Sequence, residues 1–138
     1  MAGSPVEELI SALDALDLDR ALAMVAPACN VLMVDGRGGS GLDEVAKILG
    51  EFFAEIHRME HRITAQWHLD DVWVAEIEAD YELADRSRLL RLPRAFILRE
   101  DKDGIVELHV YGAHEQAIHE RDHGPGGILI GGRYMPPL

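Results

Sequence analysis

Basic residues are scarce in this chain: 13 lysines and arginines stand against 25 aspartates and glutamates among 138 residues, a formal net charge of −12. A surface so poor in cations cannot displace counterions from phosphates, so nucleic acid is excluded as a partner, and anionic membrane surfaces with it. Cysteine is almost missing. Cys29 alone cannot close an internal disulfide, and a cytoplasmic location is the expectation. No apolar run approaches the ~18 residues of a membrane span. Met1-Ala2-Gly3-Ser4-Pro5 has neither the basic region nor the apolar run of a signal peptide. What remains is ordinary for one folded domain with a real core: 48% hydrophobic and 28% charged residues.

The helical signals come first. Ser4-Pro5-Val6-Glu7 offers an N-cap serine, a proline at the first helical position and a glutamate to complete a capping box. Leu9, Ile10, Leu13 and Leu16 then recur on one helical face. Asp19 is placed to cap a short second helix through Leu22, Val25 and Ala26, which Pro27 ends. An apolar run from Cys29 to Val34 reads as a strand, followed by the glycine-rich loop Gly36 to Gly41. A third helix from about Ser40 buries Leu42, Val45, Ala46, Leu49, Phe52, Phe53 and Ile56.

After His57 the period becomes two and stays so. Ile63, Ala65, Trp67 and Leu69 alternate with polar residues, then Trp73, Ala75, Ile77, Ala79, Tyr81 and Leu83 with Glu76, Glu78, Asp80 and Glu82. Two further strands run from Arg88 to Arg99 and from Ile105 to His114. Short polar turns between them imply an antiparallel meander, and helices followed by strands imply an α+β domain. The expected domain spans residues 1–118. Residues 119–138 form a Gly/Pro-rich tail, Gly124-Pro125-Gly126-Gly127 followed by Ile128-Leu129-Ile130, expected to be a lid, a dimer arm or a disordered end.

The order of elements resembles the nuclear transport factor 2-like superfamily, in its SnoaL-like and ketosteroid isomerase-like branches, over residues 6 to about 118. The resemblance is carried by Ala15-Leu16-Asp17-Leu18-Asp19, Ser40-Gly41, Tyr81-Glu82-Leu83, Leu92-Pro93, and Asp103-Gly104-Ile105-Val106 leading to Tyr111-Gly112. It implies a cone-shaped fold, three N-terminal helices packed on a curved antiparallel sheet, whose open end takes a small hydrophobic molecule. It implies activities from isomerase and polyketide cyclase to dehydratase and epoxide hydrolase, beside members that only bind or dimerise. The isomerase tyrosine and two aspartates fall on Leu9, Leu32 and Arg94, which argues against that mechanism. The epoxide hydrolase positions hold Glu78-Ala79-Asp80 and Val110, and the aspartate of SnoaL-type cyclases is replaced by Ala113.

Two motifs invite other readings. Gly36-Arg37-Gly38-Gly39-Ser40-Gly41 matches G-x-G-x-x-G, but no helix follows His57 to build the parallel sheet a dinucleotide site needs. His57-Arg58-Met59-Glu60-His61 matches H-x-x-E-H, but alternation begins near His61, so the two histidines do not share a helical face. No metal site and no cofactor are expected. The acidic stripe on the outer phase of Tyr81's strand reads as a solvated face paired with arginines such as Arg62, Arg91 or Arg99.

The candidate site lies on the inward phase. Arg94 shares it with Leu90, Leu92, Phe96 and Leu98, so its guanidinium must pair with an acid or face a wet cavity. His61 shares its phase with Trp67 and is the candidate for moving a proton, with Asp35 at the mouth as a second. Trp67, Trp73, Tyr81, Phe53 and Val110 are the candidate ligand-lining residues, core packing being the alternative. His109 and Tyr111 take the outer phase, where a homodimer is expected to form. The function expected is a cofactor-independent small-molecule enzyme, a cyclase, isomerase or dehydratase. The alternative is a non-catalytic binding or dimerisation module of the same fold.

Overall fold

In the computed structural model, residues 3–112 are described, together with two short strands at 128–130 and 133–135. Helix α1 (Pro5–Asp14) carries the capping box the sequence announces: Ser4 Oγ accepts from the Glu7 amide at 3.1 Å while Glu7 accepts from the Ser4 amide at 3.2 Å. Helix α2 (Leu18–Ala23) is shorter than expected and is capped by Asp17, which accepts from the Arg20 amide, rather than by Asp19. Strand β1 (Val25–Leu32) takes over before Pro27, so the proline sits inside a strand instead of ending a helix. It is tolerated where the β1 register shifts between Val25 and Asn30. The glycine-rich loop folds back on β1 as the three-residue strand β2 (Gly38–Ser40), and α3 (Leu42–Glu55) follows Gly41.

Four long strands form the meander: β3 (Ile56–Leu69), β4 (Val72–Leu83), β5 (Arg88–Asp101) and β6 (Gly104–Gly112). They join β1 and β2 in one six-stranded sheet of order β2-β1-β6-β5-β4-β3. Every pair is antiparallel except β1 with β6, which run parallel because the third helix and the meander intervene between them. The sheet curves without closing. Helix α1 packs on β3, and α3 packs on β1 and β3. The core between the layers is built by Val6, Leu9, Ala12 and Leu13 of α1, Val45 and Leu49 of α3, and the inward residues of the sheet.

Bulges in the long strands decide which side chains turn inward, since one extra residue moves everything beyond it to the other face. On β3 the register passes from Ile63 opposite Ile77 to Ala65 opposite Glu76, so Thr64 is the extra residue. Beyond it Gln66 lies opposite Ala75 and accepts from Ser4 Oγ of α1. Trp67 and Leu69, expected inside, are instead 53% and 75% exposed. The same happens on β5. Tyr81 lies opposite Leu89 and Ala79 opposite Leu92, and Arg91 takes a φ of 57°. Leu89 is therefore buried and Leu90, expected inside, is 52% exposed.

Strands β7 (Ile128–Ile130) and β8 (Arg133–Met135) pair with each other as an antiparallel hairpin. The expected lid, arm or disordered end otherwise falls outside the described residues, as does the boundary at residue 118.

Candidate active site

A cavity of about 280 Å³ opens between the end of β1, the last turn of α3 and the inward face of β4 to β6. Met33, Val34, Phe52, Leu83 and Val110 give it apolar walls. Its polar lining comes from Tyr81 and Arg94 on the sheet and from Asp35, Arg37 and Glu55 at one side.

The side group is an ion-pair chain. Asp35 accepts from the Arg37 amide at 3.0 Å and from Arg37 Nε at 2.8 Å, and the same guanidinium reaches both Glu55 oxygens, at 3.0 and 3.3 Å. Partial burial works against the charge of Arg37, but the hydrogen bonds and charges of Asp35 and Glu55 outweigh it and raise its pKa. Asp35 thus lines the cavity as the partner of an arginine and the first residue of a turn.

Arg94 does point inward, and only 4% of it is exposed. It donates to the carbonyl of Pro93 at 3.1 Å, and its guanidinium carbon stands 5.6 Å from the centroid of the Tyr81 ring. Gly112, opposite Arg94 on β6, has a φ of 155°. A β-carbon there would collide with the Pro93 carbonyl and crowd the guanidinium, so only glycine leaves Arg94 its position.

Behind Tyr81 lies a buried chain of hydrogen bonds. His61, on β3, is 7% exposed and Tyr81, on β4, is 5% exposed. His61 Nδ1 stands 2.7 Å from Asp14 Oδ1, the His61 backbone amide donates to Asp14 Oδ2 at 3.1 Å, and His61 Nε2 is 3.2 Å from the Tyr81 hydroxyl. The ring is held edge-on between Tyr81 and Phe96. Both oxygens of one carboxylate thus fix one residue, and the far side of the imidazole addresses a residue that lines the cavity.

Sequence reasoning identified His61, Arg94, Asp35, Tyr81 and Val110, and the fold brings the last four to one cavity with His61 directly behind Tyr81. The other three lining candidates lie elsewhere. Trp67 is on the outer face for the reason given above. Trp73 is half-buried and stacks on His68 at 3.9 Å, away from the cavity. Phe53 packs beside Phe52, and it is Phe52 that reaches the wall. Asp14 was missed altogether. Its signal was present, because Val6, Ile10 and Asp14 fall four apart on the buried stripe of α1, where a carboxylate needs a partner.

The remaining motifs resolve quietly. His57 of the H-x-x-E-H segment is exposed on β3 beside Arg86 and Glu82, while His61 is buried. Among the described residues no three histidine, cysteine, aspartate or glutamate side chains converge on a metal position, and no helix is long and apolar enough to cross a membrane. Burial, then the charge of Glu107, pushes the Cys29 thiol up to about 11, so it is no nucleophile.

The sequence profile of the SnoaL-like domain matches residues 6–109. The chain belongs to the SnoaL-like domain family. Among solved structures, a protein with a ketosteroid isomerase-like fold from Catenulispora acidiphila, in complex with trimethylamine, is similar at TM-score 0.71 and 15% identity over 80% of this chain and 86% of that one. A nuclear transport factor 2-like protein of unknown function from Burkholderia pseudomallei gives TM-score 0.73 and 18% identity over 83% and 92% of the two chains. An LEH-like epoxide hydrolase from M. tuberculosis gives TM-score 0.67 and 17% identity over 78% and 79%. At these identities the likeness establishes the fold, and SnoaL-like folds host several chemistries. No curated protein matches the sequence.

Proposed function

We propose that this SnoaL-like chain is an enzyme that moves a proton on a small hydrophobic carbonyl compound, as a cyclase, isomerase or dehydratase. The observation that carries the reading is the convergence on one apolar cavity of a buried cation, Arg94, and of Tyr81, with the buried His61 directly behind it. A cavity of this composition suits a carbon skeleton, and a guanidinium beside it suits the oxygen on which negative charge develops when a neighbouring carbon loses its proton. The ketosteroid isomerase route remains closed, because Leu9 and Leu32 have no proton to give or take.

The reading is tested by incubating the protein in D₂O with a panel of hydrophobic ketones and diketones and following deuterium uptake next to the carbonyl by mass spectrometry. Native mass spectrometry of the purified protein, read for a retained molecule, guides the panel. Uptake above the uncatalysed rate, reduced when Arg94 or His61 is replaced, is the expected result. No uptake with any member would leave the second reading, a binding or dimerisation module. That one draws on Leu90 and Tyr111, large apolar side chains 52% and 44% exposed on adjacent strands.

A further inference from the structure

We infer that the group that exchanges a proton with the ligand is the Tyr81 hydroxyl, that His61 is its proton acceptor, and that Asp14 is the positioning residue that fixes the histidine tautomer. The inference rests on the enzymatic reading above and changes its assignment of roles. Tyr81 lines the cavity and His61 does not, the imidazole side chain being only 1% exposed. Asp35, the other candidate base, has both carboxylate oxygens engaged by Arg37.

The hydrogen-bond order follows from Asp14. An ionised carboxylate accepts only, so the ring nitrogen 2.7 Å from it must carry the proton, and Nδ1 is that nitrogen. A neutral imidazole with its proton on Nδ1 presents a bare Nε2. The Tyr81 hydroxyl, 3.2 Å away, then donates to it. The charged groups nearest this line are Asp14, against the far side of the imidazole, and Arg94, over the face of the Tyr81 ring. Phenol and imidazole in water differ by roughly 3.5 pKa units, which opposes moving the proton from tyrosine to histidine. Here the imidazolium would form against the Asp14 carboxylate, and the phenolate would form with the Arg94 guanidinium 5.6 Å from its ring centroid.

In the step itself, the carbon–hydrogen bond next to the ligand carbonyl breaks and its proton goes to Tyr81 Oη. The Tyr81 proton goes to His61 Nε2, and the electron pair of the broken bond moves onto the carbonyl oxygen beside Arg94. The site gains one imidazolium and the ligand one enolate charge, so charge balances, and reprotonation at another carbon reverses the relay.

The test reads the ring itself. Full-length protein labelled with ¹⁵N in histidine is examined by NMR at neutral pH, with His61 assigned through its backbone connectivity. The expected result is a neutral ring protonated on Nδ1, whose bare Nε2 signal moves toward that of a nitrogen accepting no hydrogen bond in Tyr81→Phe. Asp14→Asn is expected to populate the Nε2-protonated tautomer, since a carboxamide can donate where a carboxylate cannot. A wild-type ring protonated on Nε2, a doubly protonated ring, or an Nε2 signal unmoved in Tyr81→Phe overturns the inference. In the deuterium assay Tyr81→Phe is expected to slow uptake about 100-fold or more. A rate retained within about twofold overturns Tyr81 as the exchanging group. The two readings fail separately. A chain without deuterium uptake but with the expected ring loses the enzymatic reading, whereas uptake with an Nε2-protonated ring loses only the relay.

Discussion

Two arginines on opposite faces of one sheet show what surroundings do to the same side chain. Arg94 on β5 points into the cavity, donates to the Pro93 carbonyl and lies over the Tyr81 ring. Arg62 on β3 points outward and gathers three carboxylates, Glu60 at 3.1 Å, Glu78 at 2.8 Å and Asp80 at 3.1 Å. The outer arginine is neutralised by the acidic stripe that alternation leaves on β4, in water that screens every pair. The inner one is buried on the wall of the cavity, over the Tyr81 ring. The lesson is that a charge count per face does not identify a site. The acid-rich face carries more charge but meets water, and the nearly apolar face is the one that places Arg94 beside the cavity.

The largest effect that would break this contrast is expected at Arg94. Arg94→Met preserves volume and removes the charge, and deuterium uptake is expected to fall about 10²- to 10³-fold, the usual cost of losing one oxyanion donor. Steady-state uptake at saturating ketone checks it, with Arg62→Gln beside it as the outer control, expected to leave the rate unchanged. Next in size is Asp14→Ala, which takes both hydrogen bonds from buried His61. Hydrogen bonds to charged groups contribute roughly 1.5–3 kcal/mol, and urea denaturation is expected to register a loss in that range.

The smallest effects belong to the outer face, and they are dependent on pH and salt. The Arg62 side chain, then the Arg91 amide, which donates to it at 2.8 Å, hold the Asp80 carboxyl below its ordinary value of 3.8. A depressed folded-state pKa means that Asp80 contributes its stability above the unfolded value and loses it as the pH falls through the folded one. Urea midpoints measured from pH 6 downward are therefore expected to decline less steeply below about pH 4 in Asp80→Asn than in the natural chain. Added salt should shrink the difference. A decline of equal slope would mean that the outer network contributes nothing measurable.

Much of the architecture was legible in the sequence, and the exceptions are instructive. The capping box at Ser4, the strand from Val72 to Leu83 and the inward phase of Arg94 all follow from chemistry within a few residues. Asp17 displaced Asp19 as a cap because its side chain reaches the Arg20 amide, a choice of two residues that composition does not separate. Trp67 and Leu90 were misplaced for one shared reason. Alternation was carried through Thr64 and through Leu90-Arg91, where the strands bulge. A bulge is a property of the pair of strands, since it is defined by the register against a partner, and a single strand read alone has no sign of it.

The site divides the same way. That His61 and Arg94 face inward and that Tyr81 belongs with them is written in a period of two, because side chains on a strand alternate whatever the strand pairs with. That His61 sits between Asp14 and Tyr81 joins residues 47 and 20 positions apart. The cavity itself draws on the loop after β1 and on α3, β3, β4, β5 and β6 together. The sequence by itself determined which residues could turn from water, through local periodicity and capping. Only the tertiary structure decided which of them meet, because strand register, bulges and the docking of α1 on β3 are set by contacts distant along the chain.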